Sequence, residues 1–326
     1  MVKQLIIIAG FLSCSFAYSQ NVIIPDANFK AYLVGNSNIN TNGDAEIQLT
    51  EANNFTGFID CSSKNIASLT GIEAFVKLKQ LICYDNQLTS LDTSKNIALT
   101  SLECGSNQLT NLIVSPSTTL STINCDQNQL NTIDVSKNTG LDILDCSNNK
   151  LINIDVSKNQ ALDFLACYSN QITNLDLSKN TALTQLLCSD NKLISLNVKN
   201  GNNLNIIDFD SKQNPNLNCI QVDNAAYSNS NWTEKDSWST YNTNCGYLSV
   251  VDGKKSVLKI YPNPVKNILN IEKKDQFQKA DIYTINGQLV KSSLLKEINV
   301  SDLSKGDYLV KIKTDNGIQT EKMIKE

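Results

Sequence analysis

Leucine and isoleucine return along this chain on a fixed beat that is easiest to count from the cysteines. These stand at 61, 83, 104, 125, 146, 167 and 188, one step of 22 followed by five of 21. Five residues before a cysteine come Leu78, Leu99, Leu120, Leu141, Leu162 and Leu183, and two before come Leu81, Leu102, Ile123, Leu144, Leu165 and Leu186. Five after it lie Leu88, Leu109, Leu130, Leu151, Ile172 and Leu193, and eight after it Leu91, Leu112, Ile133, Ile154, Leu175 and Leu196. Between them, three residues after each cysteine, stands Asn86, Asn107, Asn128, Asn149, Asn170 or Asn191. A period of this length signals a solenoid, in which each turn forms one rung. The inward apolar side chains of one rung cannot offset the entropy of ordering it, so the rungs are stable only when stacked through parallel backbone pairing. The inward asparagine supplies an amide that bonds to the backbone of its own loop and a neighbouring one.

The unit L-x-x-L-x-C-x-x-N-x-L resembles the leucine-rich repeat, with cysteine where the third leucine normally points inward. The resemblance covers residues 56–215 and is closest to the short 21-residue bacterial class, whose second half, here "IDVSKN" at 133–138 and 154–159, echoes the first. It implies a mainly β fold, a solenoid of about eight rungs. The eighth is expected at Leu204, Ile207 and Phe209, with Phe209 in the cysteine slot and Lys212 in the asparagine slot.

Three readings compete for the cysteines: a metal ladder, a chain of disulfides, and buried filling. Neighbouring parallel strands lie about 4.8 Å apart, slightly outside the comfortable Cβ separation for a bridge, and a line of thiols does not converge on one point as a metal site requires. Free cysteine behaves as a small hydrophobe, and filling is the favoured reading. A second row, Asp92, Asp134, Asp155 and Asp176, is accompanied by Lys95, Lys137, Lys158 and Lys179. It reads as turn capping, with the lysines offsetting carboxylate repulsion.

The segments flanking the repeat have their own signals. Residues 1–19 form a secretory signal peptide: Lys3, an apolar run from Leu5 to Leu12, and Ala17-Tyr18-Ser19 as a cleavage site before Gln20, with Cys14 as a poorer acylation alternative. Beyond it no segment has the unbroken apolar length of a membrane span. Residues 20–55 predict a helical N-terminal cap, with Asp26 capping a helix that runs to about Val34. Asn40, Asn42, Asp44, Glu46, Gln48 and Glu51 then fall at positions 1, 3, 5, 7, 9 and 12 of a loop that resembles an EF-hand. The loop is degenerate, because Asn40 replaces the first Asp and Ala45 the sharp-turn Gly. Calcium is the one ion this pattern suggests; no cofactor is otherwise expected.

Residues 216–247 resemble the C-terminal caps of secreted leucine-rich repeat proteins. Cys219 and Cys245, off the ladder, are expected to form a disulfide there. A linker, 248–256, leads to alternating strands over 257–326, with Asn286-Gly287 and Asn316-Gly317 as hairpin signals, the pattern of a small Ig-like β-sandwich. Tyr261-Pro262-Asn263-Pro264, the Gly287 hairpin, Leu303, Gly306-Asp307-Tyr308 and Lys322-Met323-Ile324-Lys325 resemble the type A C-terminal sorting domain of the Bacteroidetes type IX secretion system. That resemblance implies engagement of the type IX machinery and a secreted or outer-membrane surface destination.

Composition narrows function further. The chain is 41% hydrophobic and 18% charged, a globular balance, with a formal charge of -4. It contains no histidine and no arginine. The commonest general base is therefore missing, as is the bidentate grip on phosphate and guanine, so nucleic acid is not an expected partner. No nucleophile elbow or phosphate loop is present, and an enzyme is not expected. Function is expected on the outward side chains of the rungs, one before and one after each cysteine. Tyr84, Glu103, Asp126, Asp145 and Tyr168 are the candidates for a protein or glycan ligand, the alternative being a surface spacer without one.

Overall fold

The computed structural model describes residues 20–246, 259–272, 277–284, 288–314 and 317–326. The signal peptide, the linker, and the residues at the Asn286-Gly287 and Asn316-Gly317 turns lie wholly or partly outside these. The chain divides into two compact units, Met1–Tyr247 and Leu248–Glu326.

In the first unit eight three-residue strands form one parallel sheet. They are Phe58–Asp60, Gln80–Ile82, Ser101–Glu103, Thr122–Asn124, Ile143–Asp145, Phe164–Ala166, Gln185–Leu187 and Asp208–Asp210, paired in sequence order. Each has the leucine-type residue at its centre, buried, and its two flanking residues on the opposite face, as period-two alternation requires. The second half of the turns builds a four-stranded parallel sheet of Asn174–Asp176, Ser195–Asn197, Cys219–Gln221 and Thr240–Asn242, and a pair formed by Ser90–Asp92 and Asn111–Ile113. The leucine rows and all seven ladder cysteines form one continuous core.

Two asparagine ladders complete the interior. Asn128 Nδ2 donates to the carbonyls of Cys125 and Asp126 in its own rung and of Cys104 in the rung before, while its Oδ1 accepts from Leu109 N–H at 2.8 Å. Asn107, Asn149, Asn170 and Asn191 repeat the pattern. On the other side of the coil, Asn138, Asn159 and Asn180 are buried and donate to carbonyls one rung back. Two residues after each ladder cysteine the backbone turns through positive φ, at Ser63, Asp85, Ser106, Gln127, Asn148, Ser169 and Asp190.

That marker corrects the expected register of the eighth rung. Phe209 pairs with Leu186, the leucine slot, and the positive-φ residue is Gln213, so the cysteine slot holds Ser211 and the asparagine slot Asn214. Asn214 makes the ladder bonds to Cys188 and Ser211 carbonyls and accepts from Leu193 N–H. Leu204 and Ile207, expected inside, are exposed, and Ile206 is buried instead. The cause is a step of 23 residues from Cys188 to Ser211, with Gly201 at φ +81 and a 3-10 turn at Asn203–Asn205 absorbing the surplus. Lys212 lies outside, ion-paired with Glu234.

Both ends of the stack are covered. Helix α1 (Ala27–Val34) buries Phe29 and Leu33. Asp26 Oδ1 accepts from Asn28 and Phe29 N–H, and its Oδ2 accepts from Ala67 and Ser68 N–H, so one carboxylate caps the helix and ties it to the first rung. At the far end Glu234 pairs with Asp210 as the edge of a ninth turn, and Trp232 stacks on Phe209 at 4.6 Å. Cys219 and Cys245 are disulfide-bonded, with Cα atoms 5.7 Å apart.

Among its described residues the second unit has two antiparallel sheets, one of three strands (Lys259–Tyr261, Ile268–Glu272, Glu297–Asn299) and one of four (Phe277–Thr284, Leu289–Ser293, Gly306–Thr314, Gly317–Lys325). They share a single apolar core that includes Leu269, Ile282, Val310 and Met323.

Candidate binding surface

The outward side chains of the eight-stranded sheet stand in rows because the strands pair without slip. One row runs Ile82, Glu103, Asn124, Asp145, Ala166 and Leu187. Backbone pairing continues beyond the strands, through Asp85 N–H to Gly105, Ser106 N–H to Asp126, Gln127 N–H to Ser147 and Asn148 N–H to Tyr168. A second row therefore runs Tyr84, Gly105, Asp126, Ser147 and Tyr168. The five candidate residues are brought onto one face, with Tyr84 and Tyr168 four rungs and about 19 Å apart and the three carboxylates between them.

The polar centre of that face is held by hydrogen bonds within it. Asp145 Oδ1 accepts from Ser147 N–H at 3.0 Å and from Ser147 Oγ at 2.7 Å. Burial pushes the Asp145 carboxyl above its ordinary range, against the pull of Ser147. Asn124 Oδ1 accepts from Asp126 N–H, and Asp126 Oδ2 from Gln127 Nε2 at 2.9 Å. Asp126 lies flat over Gly105, where a Cβ would meet its Oδ1 at 2.0 Å. Gly105 is therefore what lets this carboxylate face outward beside Glu103. Tyr84 is 46% exposed, whereas Tyr168 and the three carboxylates are half-buried.

A third outward row was not among the candidates: Gln80, Ser101, Thr122, Ile143, Phe164 and Gln185, with Phe58 preceding it. It adds Ile143, Phe164 and the exposed Phe58 to the apolar content of the face. The missing signal was the strand centre, two residues before cysteine, around which both flanks point outward.

The EF-hand-like loop is arranged differently from a ligand cage. Asn42, Asp44 and Gln48 bond to one another. Glu46 is ion-paired with Lys30 at 2.6 Å. Asn40 turns inward, donating to Val34 and Asp44 carbonyls and accepting from Gly43 N–H. Glu51 accepts from Thr41 and Asn42 N–H and, across a capping box, from Gln48 N–H at the start of helix α2 (Leu49–Asn54). The positive-φ residue is Gly43 rather than Ala45, so the sharp turn falls two places early. Among the described residues no group of three or more Cys, Asp or Glu is placed to hold a metal ion.

The ladder thiols are shut away from chemistry. Burial pushes Cys61 and Cys167 up to about 12 and the other five well above the ordinary thiol range. They are neutral thiols, poor as nucleophiles or ligands. On the outer turn Asp92, Asp134, Asp155 and Asp176 each accept from a serine N–H two residues on. The Ser136 and Ser157 side chains and N–H groups hold Asp134 and Asp155 below the usual carboxylate range.

Comparison with known proteins agrees with this architecture. Residues 259–326 match the secretion system C-terminal sorting domain, and residues 43–149 match the leucine-rich repeat domain of the endo-beta-N-acetylglucosaminidase EndoS. No curated protein matches the chain. Among solved structures it is similar to the functional domain of InlJ from Listeria monocytogenes, which includes a cysteine ladder. That pair is 31% identical with a TM-score of 0.47, and covers 62% of this chain and 52% of that one, about half its length. Internalin C2 from the same species is 20% identical with a TM-score of 0.51 over 68% of this chain and 95% of its own, a likeness of fold. Among the described residues no helix is long and apolar enough to cross a membrane.

Proposed function

We propose that this chain, a leucine-rich repeat protein with a type IX secretion C-terminal sorting domain and hence a secreted or cell-surface protein, is a non-catalytic binding protein. Its eight-stranded face would capture a protein or glycan. The observation that carries this reading is the row Tyr84, Gly105, Asp126, Ser147 and Tyr168, with two tyrosines framing oriented carboxylates on a rigid sheet. Tyrosine offers a large apolar face and a polar tip at low entropic cost, which suits it to anchoring a ligand. Half-buried carboxylates aimed by their neighbours select donors, either ammonium and amide groups of a protein or hydroxyls of a glycan. Beside them Ile143, Phe164 and Leu187 supply the apolar area that interface centres use. The absence of histidine and the neutral, buried thiols support a role without catalysis.

Arrays of glycans and surface proteins, probed with the purified secreted chain, test the proposal. Saturable binding to at least one component is expected, weakened about tenfold or more by Tyr84→Ala with Tyr168→Ala. A ligand whose affinity survives both changes would move the site off this face. No saturable binding at all would favour a spacer.

A further inference from the structure

A concavity lies in the N-terminal cap, and of the outward rows it takes in only Phe58. It is a pocket of about 610 Å³ between the loop after helix α1, the end of helix α2, and the start of the first rung. That volume is in the range of small-ligand sites, roughly 300 to 1,000 Å³. Its apolar part is made by Phe55, Gly57 and Phe58. Phe55 is set edge-on to Phe75, with ring centroids 6.1 Å apart, and its ring lies so close to Gly57 that a Cβ there would meet it at 2.8 Å. This surface is thus fixed before any ligand arrives. Phe58 opens the first strand on its outward side and is 59% exposed, an aromatic face that the core does not use.

The polar part is mostly uncharged. Asn36, Asn38 and Asn54 bring amides to the wall, and Thr41 and Thr56 bring hydroxyls. The side chains of Asn38 and Asn54 are exposed and make no hydrogen bond among the described residues. The one charged side chain is Glu51, whose oxygens already accept from Thr41 N–H and Oγ1, Asn42 N–H and Gln48 N–H at 2.7 to 3.2 Å. No lysine lines the pocket.

We propose that this pocket binds a neutral saccharide, with a sugar C–H face on Phe58 and hydroxyls bonded to the Asn38 and Asn54 amides. An amide offers a donor and an acceptor side by side, matching adjacent sugar hydroxyls, and an aromatic ring matches the apolar face of a pyranose. An anionic ligand meets the carboxylate of Glu51 with no cation to offset it. A purely apolar ligand would bury the free amides without partners. The site meets the eight-stranded face only at Phe58, and its amides belong to the N-terminal cap, so Asn54→Ala distinguishes it from the Tyr84 to Tyr168 row.

Ligand-observed NMR and calorimetry on the whole secreted chain test it with maltotriose, cellotriose, chitotriose and laminaritriose, and trigalacturonate as the charged comparison. At least one neutral trisaccharide should bind. Phe58→Ala should weaken it about tenfold and Asn54→Ala about fivefold, while Tyr168→Ala leaves it unchanged. Both pocket positions are exposed, so the variants keep the fold, and circular dichroism checks this. The proposal is overturned if none of the four binds, if Phe58→Ala retains full affinity, or if trigalacturonate binds as well as the best neutral sugar.

Discussion

Raising the pH should unfold the solenoid over a narrow range, because its seven buried thiols cannot ionise while it is folded. Burial holds Cys61 and Cys167 up at about 12 and the other five well above their ordinary range. In the unfolded chain each thiol titrates near ~8.5. The folded value is the higher one, so the protection is whole below about pH 8.5 and is lost as the pH rises above it. Each thiol then removes about 0.8 kcal/mol at pH 9 and about 1.4 kcal/mol at pH 9.5. Seven acting together remove about 6 and about 10 kcal/mol, which is comparable with the whole stability of an ordinary domain. Urea unfolding followed by circular dichroism between pH 7 and 9.5, in oxygen-free buffer, measures the loss. Cys125→Ala should flatten the slope by about one seventh. A urea midpoint unchanged up to pH 9.5 would refute the reasoning, because it would mean that the thiols ionise freely in the fold or do not ionise in either state.

Three further outcomes follow from the interior. Asn128→Ala leaves Leu109 N–H without its acceptor and removes three donations. It should cost about 2 to 4 kcal/mol, against under about 0.5 kcal/mol for the exposed Asn131→Ala; equal costs in chemical denaturation would contradict the ladder. Ser211→Cys should stabilise by about 1 to 2 kcal/mol, because it replaces a buried hydroxyl with no hydrogen-bond partner by the side chain that fills this slot in the seven preceding rungs; a fall in thermal midpoint would count against the corrected register. Breaking the Cys219–Cys245 bond by Cys245→Ala opens a loop of 26 residues. A loss of about 3.5 kcal/mol is expected, with hydrogen exchange rising first around Trp232 and Tyr241; uniform exchange along the solenoid would contradict a capping role.

The parts of this fold legible in the sequence are those repeated often enough to outvote local noise. Six copies of the leucine and asparagine rows establish rung, period and inward faces, and α1 is announced by Asp26 and the apolar residues Phe29 and Leu33. The eighth rung was misread because its register was carried forward by counting. Two extra residues near Gly201 moved Ser211 into the thiol slot, and Phe209, a large apolar residue near the expected place, was mistaken for its occupant. The burial of Asn138, Asn159 and Asn180 was also hidden, because in "DVSKN" and, for Asn180, "DLSKN" they sit among residues that belong to an exposed turn. Only the coil geometry shows that their amides reach carbonyls one rung back. On the candidate face, Tyr84 and Tyr168 could be placed by spacing alone. The contribution of Gly105 could not, since an absent side chain acquires meaning only when Asp126 is seen lying over it.

Thiol counting on the secreted chain, paired with metal analysis, tests most directly whether the cysteine ladder is interior packing. A disulfide-exchange reagent at neutral pH should label none of the seven while the chain is folded and all seven in denaturant, with no stoichiometric zinc or iron. Rapid labelling of any ladder thiol in the folded chain, or one metal ion per molecule released by denaturation, would contradict it.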